Sequence, residues 1–432
     1  MTAEIAIMNR SAIALAADSA ITVESPFGGE KDRSKIYYSS NKLFTLSKYH
    51  PVGIMVFGNA ELLIFPWETL IKIYRKGLGT KTFASLREYG DDFIRFLTKN
   101  NIFSKEVQQA YYEGSVHGYL MLLRSQIDDE VKSWVEANRQ ISEEEVKQIL
   151  NASIKKHLDQ WDALDFLKDN SERTANTITK LYRHSFSRIL EVALARLPLN
   201  EKNRADLTRL SALLFTKSRF PSNTSGVVIA GFGDQDVFPS IAVYNIEGVI
   251  NDRPKYRLED LESITAENQA VIYPFAQKEM VQTFINGVAP EVESYLKDYI
   301  KEILRLYPEK ITPVIPSIPD EQRVELSKKM KDAGDLLMKE LDEQFKKFIR
   351  ANYVKPTLDV VQSLPKNELA EMAEALVSLT SIKRKISLDE ETVGGPIDVA
   401  LISKGDGFIW MKRKHYFKPE LNQHFIKNYF NK

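Results

Sequence analysis

The sequence contains no cysteine, and only six of its 432 residues are histidine. The lack of cysteine excludes disulfide bonds, thiol catalysis and cysteine-ligated metals, and it favours a reducing compartment, so we expect a cytoplasmic location. The histidines form no HxH or HxxxH pair of the kind that binds zinc. A Gly-rich phosphate loop between a strand and a helix is also missing. We therefore expect neither a metal nor a cofactor.

Net charge and long apolar runs are missing as well. Lysine plus arginine equals aspartate plus glutamate at 59 each, so no excess charge attracts nucleic acid or an anionic membrane. No apolar run approaches the roughly 20 residues that a membrane helix needs, and the first residues lack the features of a secretory signal. We expect no nucleic-acid partner and no membrane partner. With 43% hydrophobic residues, the composition is that of a globular protein with a large core.

The first sixty residues predict strands. The runs "EIAIMN" and "AIALAAD" flank a turn at residues 9–11, and they are too continuously apolar for a half-exposed sheet. Such runs are typical of strands buried on both faces. "KIYYSS", "KLFTLS" and "VGIMVFGN" predict further strands, and "SPFGGEKD" predicts a hairpin loop. From Asn59 apolar residues recur at helical spacing as far as Tyr74, which predicts a helix ending near Gly77.

The remainder alternates between helices and strands. Residues 80–220 contain little Gly or Pro and show helical periodicity, with a capping box at Ser142 and Glu145. Strands return in "SGVVIAGFGD" and "FPSIAVYNIEGVI", and helices return from about Phe275. One of those helices carries an apolar stripe from Val324 to Phe348, and "PIDVALIS" with "FIWMKRK" predicts a final hairpin. This order permits two stacked sheets with helical layers outside, which would cover strands buried on both faces.

Four segments resemble the proteasome beta-type subunits. "MTAEIAI…AIALAADSAITV" is similar to their start, where a catalytic threonine is followed by a strand, a turn and a strand ending in "LAADS". "NKLF" and "VGIMVFGNAELL" resemble the next two signatures, and "GGPIDVALISKGDGFIW" resembles the closing Gly-Gly, strand, turn and strand. The segments occur in the family's order, and together they are more specific than any one of them. The related bacterial ATP-dependent peptidase shares them, and both proteins are N-terminal nucleophile hydrolases.

The resemblance implies a fold and a domain organisation. It implies an α+β protein with the four-layer αββα sandwich of the N-terminal nucleophile hydrolases. The sandwich would be a discontinuous core made of residues 1–79, 221–284 and 386–432. Two large helical insertions, residues 80–220 and 285–385, have no counterpart in the family.

The resemblance also implies a catalytic threonine. A threonine hydroxyl is a poor nucleophile without a base, and a free α-amino group with a pKa near 8 can serve as that base. Removal of Met1 would expose this amine on Thr2, the implied nucleophile. Asp18 is implied to orient a lysine whose charge keeps the amine neutral. Lys42 fits the family's spacing, and Lys35 remains the alternative because it too begins a strand-like run.

Further site residues follow from the same resemblance. The backbone N–H of Gly58 would stabilise the developing oxyanion. By analogy, the substrate pocket would include Ile21, Val56, Ala60 and Ile64, and these residues favour an apolar substrate side chain. The expected activity is hydrolysis of peptide bonds or related amides through an acyl-enzyme.

Two alternatives remain open, because the sequence departs from the family's pattern. Ala276 and Gln277 stand where the family carries a serine that binds the threonine amine. Glu390 and Val393 stand where it carries an aspartate and a serine. These differences favour a catalytically inactive, proteasome-like scaffold or interaction protein as the first alternative. The second is a small-molecule amidase of the same superfamily.

The helical insertions lead to an expectation about assembly. In the barrel-forming relatives, the helices on the two faces contact a neighbouring ring or an ATPase. Insertions on both faces would occupy that space. We therefore expect a monomer, a small homo-oligomer or a differently built ring, and not a standard stacked-ring barrel.

Overall fold

The computed structural model describes residues 2–24, 34–99, 102–222, 224–315, 319–387, 393–415, 417–424 and 427. The described chain is a mixed α/β protein with antiparallel sheets, as expected for the α+β class. Within these residues, every helix is too short or too polar to span a bilayer. The predicted loop "SPFGGEKD" lies outside the described residues, as do Met1 and Glu390.

The strands of the described residues, in chain order, are β1 Ala3–Asn9, β2 Ala12–Ala17, β3 Ile21–Glu24, β4 Ser34–Tyr37, β5 Leu43–Thr45, β6 Val52–Gly58, β7 Glu61–Leu62, β8 Phe65–Pro66, β9 Ser225–Gly231, β10 Ser240–Ile250, β11 Arg253–Ser263, β12 Ala270–Ala276, β13 Asp398–Ser403 and β14 Gly407–Lys412. They form two five-stranded sheets, in the orders β12-β1-β2-β13-β14 and β11-β10-β9-β6-β5. Two small two-stranded sheets pair β3 with β4 and β7 with β8.

The helices are α1 Trp67–Leu78, α2 Leu86–Lys99, α3 Lys105–Asn138, α4 Glu143–Asp162, α5 Glu172–Leu181, α6 Arg183–Ala193, α7 Glu201–Thr216, α8 Glu279–Asn286, α9 Pro290–Ile311, α10 Asp320–Ile349, α11 Lys355–Val361 and α12 Lys366–Ile386. A π-helical turn, Arg350–Val354, joins α10 to α11. The capping box predicted at Ser142 and Glu145 is confirmed at the start of α4.

The chain divides into two compact units. The first comprises Met1–Leu43, Val237–Ser240 and Ser263–Lys432, and the second comprises Phe44–Asp236 and Ile241–Glu262. The predicted division into a family core and two helical insertions depends on a comparison with the family. The two compact units do not test that comparison. That division stays a prediction.

In the first unit, β1 and β2 lie at the centre of the sheet. One face of these strands packs Ile5, Ile7 and Ala14 against apolar residues of α12, including Leu369 and Leu376. The residues of the opposite face are buried too, so β1 and β2 are buried along their whole length. The prediction of strands buried on both faces is therefore confirmed.

In the second unit, the sheet packs against α1 and α2 through large aromatic side chains. Trp67, Tyr74 and Phe93 share one core with strand residues such as Ile54 and Ile229. Helices α3 to α7 form a separate apolar cluster.

The helix predicted from Asn59 begins later than expected. Residues 59–66 contain the small hairpin of β7 and β8, and α1 starts at Trp67. Leu63 has a φ of 60°, which is incompatible with a helix. The hydroxyl oxygen of Ser225 lies 3.0 Å from the Asn59 carbonyl oxygen and 3.3 Å from that of Glu61, so its one proton is available to either carbonyl in place of a helical hydrogen bond. A contact from a distant part of the chain therefore overrides the local periodicity.

The expected return to helices from about Phe275 needs correction. Strands β11 and β12 were not predicted, and the helix expected from about Phe275 begins at Glu279. The apolar stripe of α10 is largely exposed in the described chain, because Val324 and Leu337 are 76% and 56% accessible to solvent.

Candidate active site

Four buried polar side chains form a cluster in the first unit, around the start of β1. They are Thr2, Glu4, Asp18 and Lys42. The antiparallel pairing of β1 with β2 aligns Glu4 with Ala17, so the start of β1 lies beside the end of β2. Asp18 follows β2 directly, and Lys42 directly precedes β5. Local chain order and strand register thus bring these four polar groups into one apolar surrounding.

Asp18 is the acceptor that connects the cluster. Its carboxylate accepts hydrogen bonds from the backbone N–H groups of Ala3 at 3.1 Å, Ala20 at 3.3 Å and Gly394 at 2.9 Å. The ammonium group of Lys42 is its fourth donor. A fully buried carboxylate is costly unless it is hydrogen-bonded and paired, and these four donors offset that cost. Asp18 therefore joins the start of β1, the end of β2 and the turn that precedes β13.

The Gly-Gly turn before β13 fits closely around the residue that follows Asp18. Ser19 donates its backbone N–H to the Gly394 carbonyl at 3.1 Å and its hydroxyl to the Pro396 carbonyl. Gly395 has a φ of +79°, and a Cβ there would lie 2.8 Å from the Cβ of Tyr38. Only glycine meets both the conformation and the space.

Lys42 contacts two carboxylates. Its Nζ pairs with Asp18 Oδ1 and lies 3.2 Å from Glu4 Oε1. The alternative lysine, Lys35, is an exposed residue of β4 whose Nζ lies 5.0 Å from the ring centroid of Tyr37. Of the two lysines, Lys42 is the one that the structure brings together with Asp18.

Thr2 completes the cluster through its hydroxyl. Its Oγ1 donates a hydrogen bond to Glu4 Oε2 at 3.0 Å. The Thr2 carbonyl accepts the backbone N–H of Gln277 at 3.3 Å, and Ala276 pairs with Ala3 across the sheet. Thus Ala276 and Gln277, two of the residues that depart from the family's pattern, lie directly beside Thr2. The Gln277 side-chain oxygen accepts a hydrogen bond from Arg384 Nε at 2.7 Å.

Glu4 is the member of the cluster that the sequence analysis missed. Burial raises its pKa to about 7 from an ordinary 4.5; Lys42 and the Thr2 hydroxyl oppose the rise, and Asp18 adds to it. Near neutral pH this carboxyl group therefore exchanges between its protonated and ionised forms. A signal for it was available, because residues i and i+2 of a strand share a face. Glu4 stands two positions after Thr2 in an otherwise apolar strand.

Gly58 ends β6 in the second unit. Its φ is +76°, and a Cβ there would approach the Thr224 carbonyl oxygen to 2.4 Å. The strand therefore requires glycine here for its own conformation. The oxyanion role of Gly58 stays a prediction. The prediction that a helix begins directly after Gly58 is wrong, because the hairpin of β7 and β8 separates Gly58 from α1.

The predicted substrate-pocket residues are distributed over both units. Val56 is buried in the core of the second unit, whereas Ala60 is half-buried and Ile64 is 63% exposed beside the hairpin of β7 and β8. Ile21 is half-buried in β3 of the first unit. The pocket stays a prediction.

Neither the protein-family models nor the curated proteins compared with this sequence gave a match. Within the described ranges, no three histidine, aspartate or glutamate side chains come together as a metal site would require. The chemistry of the cluster is that of a hydroxyl, two carboxyl groups and an ammonium group.

Proposed function

We propose that this chain is an N-terminal threonine hydrolase of the proteasome-like kind, which cleaves peptide bonds or related amides through an acyl-enzyme. One observation carries the proposal. The Thr2 hydroxyl is buried at the end of a continuous chain of polar contacts that runs through Glu4 and Lys42 to Asp18. An isolated threonine hydroxyl is inert, so a linked set of titratable groups is what a nucleophile needs.

The architecture supports the proposal. A four-layer αββα sandwich of the N-terminal nucleophile hydrolase type is built from two antiparallel sheets and their helices. The described chain has two five-stranded antiparallel sheets, and the sheet of the first unit carries Thr2 immediately before its strand β1. Helix α12 packs on the same sheet.

The proposed reaction begins with the removal of Met1, which frees the α-amino group of Thr2. With a pKa near 8, this amine can accept the hydroxyl proton as Oγ attacks the substrate carbonyl carbon. The positive charge of Lys42 disfavours a second positive charge on the amine and so keeps the base neutral. Asp18 holds Lys42 and the start of β1 in place. The leaving amine takes a proton, and water then hydrolyses the ester on Thr2.

Intact-mass measurement and covalent labelling test the proposal. We expect protein from cytoplasmic expression to lack Met1 and to form a mass adduct with a β-lactone, an electrophile that acylates hydroxyl nucleophiles. Thr2→Ala should abolish the adduct, while Thr2→Ser, the matched control, should retain it. Met1 retained on every molecule, or an unchanged adduct on Thr2→Ala, would refute the proposal.

A second candidate is a proteasome-like scaffold without activity. The observation in its favour is that Ala276 and Gln277, which lie beside Thr2, and Val393 carry no hydroxyl at positions where the resembling family has serines. Retained Met1 together with no β-lactone adduct would support this candidate. A small-molecule amidase would instead form the adduct and hydrolyse simple acyl amides while leaving peptides intact.

A further inference from the structure

The carboxyl group of Glu4 is shared between two neighbours. Its Oε2 accepts the hydrogen bond of the Thr2 hydroxyl at 3.0 Å, and its Oε1 lies 3.2 Å from Lys42 Nζ. Lys42 thus holds the carboxyl group by one oxygen and leaves the other oxygen on the hydroxyl. The nucleophile candidate contacts a carboxylate at the distance from which a general base abstracts a proton.

We infer that Glu4, and not the α-amino group to which the resemblance assigns this step, is the general base that takes the Thr2 hydroxyl proton and later returns it, an inference that rests on the proposed function. Ala276 and Gln277 lie beside Thr2 where the resembling family carries a serine. Glu4 supplies, from β1 itself, a hydrogen-bond acceptor for the Thr2 hydroxyl.

The proposed steps balance in protons and electron pairs. As Thr2 Oγ forms a bond to the substrate carbonyl carbon, its proton passes to Glu4 Oε2 and the carbonyl π pair moves to oxygen. When the C–N bond breaks, Glu4 returns the proton to the leaving amine. In the second half, Glu4 takes a proton from water as water attacks the ester. It then gives that proton to Thr2 Oγ as the acid product leaves.

The surroundings of Glu4 suit a base that works near neutral pH. The charged groups that act on it are Lys42, which favours its ionised form, and Asp18, which opposes it. Its partners across the sheet, Phe275 and Ala17, do not titrate. The freed amine of Thr2 would be a further charge nearby. A base is most effective when its pKa lies near the working pH, and burial raises the pKa of Glu4 to about 7.

The test compares the rate of β-lactone acylation across a pH series in four proteins: the unaltered chain, Thr2→Ala, Glu4→Gln and Glu247→Gln. Each protein is released from a cleavable fusion that leaves residue 2 as the first residue, so that removal of Met1 cannot differ between them. Glu4→Gln keeps the size of the side chain and one acceptor oxygen, and it removes the basicity. Glu247→Gln is the matched control, because Glu247 is a largely buried carboxylate paired with Lys255 in the other unit.

We expect acylation of the unaltered chain to rise with a midpoint near pH 7. Glu4→Gln should lower the rate by about 100-fold or more and lose that midpoint, whereas Glu247→Gln should change neither. Carbon-13 NMR of labelled glutamate carboxyl groups in Thr2→Ala should show one signal titrating near pH 7. That signal should vanish when Glu4→Gln is added.

The outcomes separate the two proposals. If the unaltered chain is acylated on Thr2 and Glu4→Gln matches it in rate and midpoint, the role of Glu4 is overturned and the threonine hydrolase stands. A uniform fall in rate with the midpoint retained also overturns it, because that is the effect of a purely structural residue. If Thr2 is the first residue of the unaltered chain and that chain is not acylated, both proposals are overturned.

Discussion

Each unit contains a buried lysine that pairs with a carboxylate, Lys42 in the first and Lys255 in the second, and the two clusters differ in how the charges are matched. In the second unit, Lys255 Nζ donates to the carbonyls of Leu214 at 2.6 Å and Arg219 at 2.7 Å. It also lies 2.5 Å from Glu247 Oε2. The other oxygen of Glu247 accepts the Tyr111 hydroxyl at 2.8 Å. The Lys255 ammonium thus pairs with the single carboxylate of Glu247, and its other two hydrogen bonds go to neutral carbonyl groups.

In the first unit, one ammonium serves two carboxyl groups. Lys42 contacts both Asp18 and Glu4, and three backbone N–H groups also donate to Asp18. Glu4 retains a hydroxyl and a share of Lys42, so burial raises its pKa to about 7. The comparison teaches that a buried lysine paired with one carboxylate connects structural elements. Where two buried carboxyl groups share one lysine, the less well paired carboxyl group keeps a proton near neutral pH. Predictions on both clusters can break or sharpen this distinction.

The largest expected effect comes from Lys42→Met. Removing one partner from a buried ionic cluster leaves uncompensated charge and typically costs about 3–5 kcal/mol. We expect a fall of that size in the free energy of unfolding, measured by urea denaturation, together with loss of β-lactone labelling. Hydrogen exchange measured by mass spectrometry should show the loss of protection in peptides of β1 and β2.

Lys35→Met is the control for that experiment, since Lys35 is exposed in the same unit. It should change neither stability nor labelling. The reverse pattern, in which Lys35→Met is harmful and Lys42→Met is tolerated, would contradict the assignment of Lys42.

The second effect is a pH dependence of stability that belongs to Glu4. Its pKa in the folded chain is about 7 against an ordinary 4.5, so the folded state binds more protons between these values. The stabilisation from this group is full below pH 4.5 and is lost as the pH rises through 7, a change of about 3 kcal/mol. Glu4→Gln carries no titrating group and should lack this decline.

The measurement is the free energy of unfolding of both proteins at several pH values between these limits. Their difference cancels the other titrating groups, and it should shift in favour of Glu4→Gln as the pH rises. Parallel curves for the two proteins would contradict the raised pKa of Glu4 and remove the distinction between the clusters.

A smaller effect is expected for Tyr111→Phe in the second unit. The substitution removes the hydroxyl that donates to Glu247, and a hydrogen bond to a charged group contributes about 1.5–3 kcal/mol. Stability should fall by about that amount, with hydrogen exchange rising in α3 and β10. Labelling of Thr2 and its pH midpoint should not change. A changed midpoint would mean that the second cluster is not purely structural.

The sequence predicted the members of the first cluster unevenly. Asp18 and Lys42 were expected because the resemblance implies an aspartate that orients a lysine, and Lys42 fits the family's spacing. Glu4 was missed because "EIAIMN" was treated as one apolar run, although its first residue is charged. The pKa of Glu4 could not be predicted, since it depends on burial by residues far along the chain.

The fold was predicted where local patterns decide it. The buried runs of β1 and β2 and the capping box of α4 are local signals. Strand β11 was missed because it is an edge strand whose polar residues obscure the alternation, and β12, also an edge strand, is apolar but interrupted by Pro274. The start of α1 was misplaced because Ser225, far along the chain, supplies the deciding hydrogen bond.

The smallest expected effect is that of Asn200→Ala at the start of α7, the helix whose Leu214 carbonyl accepts a hydrogen bond from Lys255. Asn200 Oδ1 accepts the backbone N–H of Asn203 at 2.8 Å, and Asn203 Oδ1 accepts the backbone N–H of Asn200 at 3.1 Å. Loss of such a cap typically costs about 1 kcal/mol, whereas Asn200→Ser keeps an acceptor and should be nearly neutral. Urea denaturation should resolve the two variants. If the second cluster is a matched connection, fraying this distant end of α7 should leave exchange around Lys255 unchanged, while added exchange there would show that the cluster depends on the whole helix.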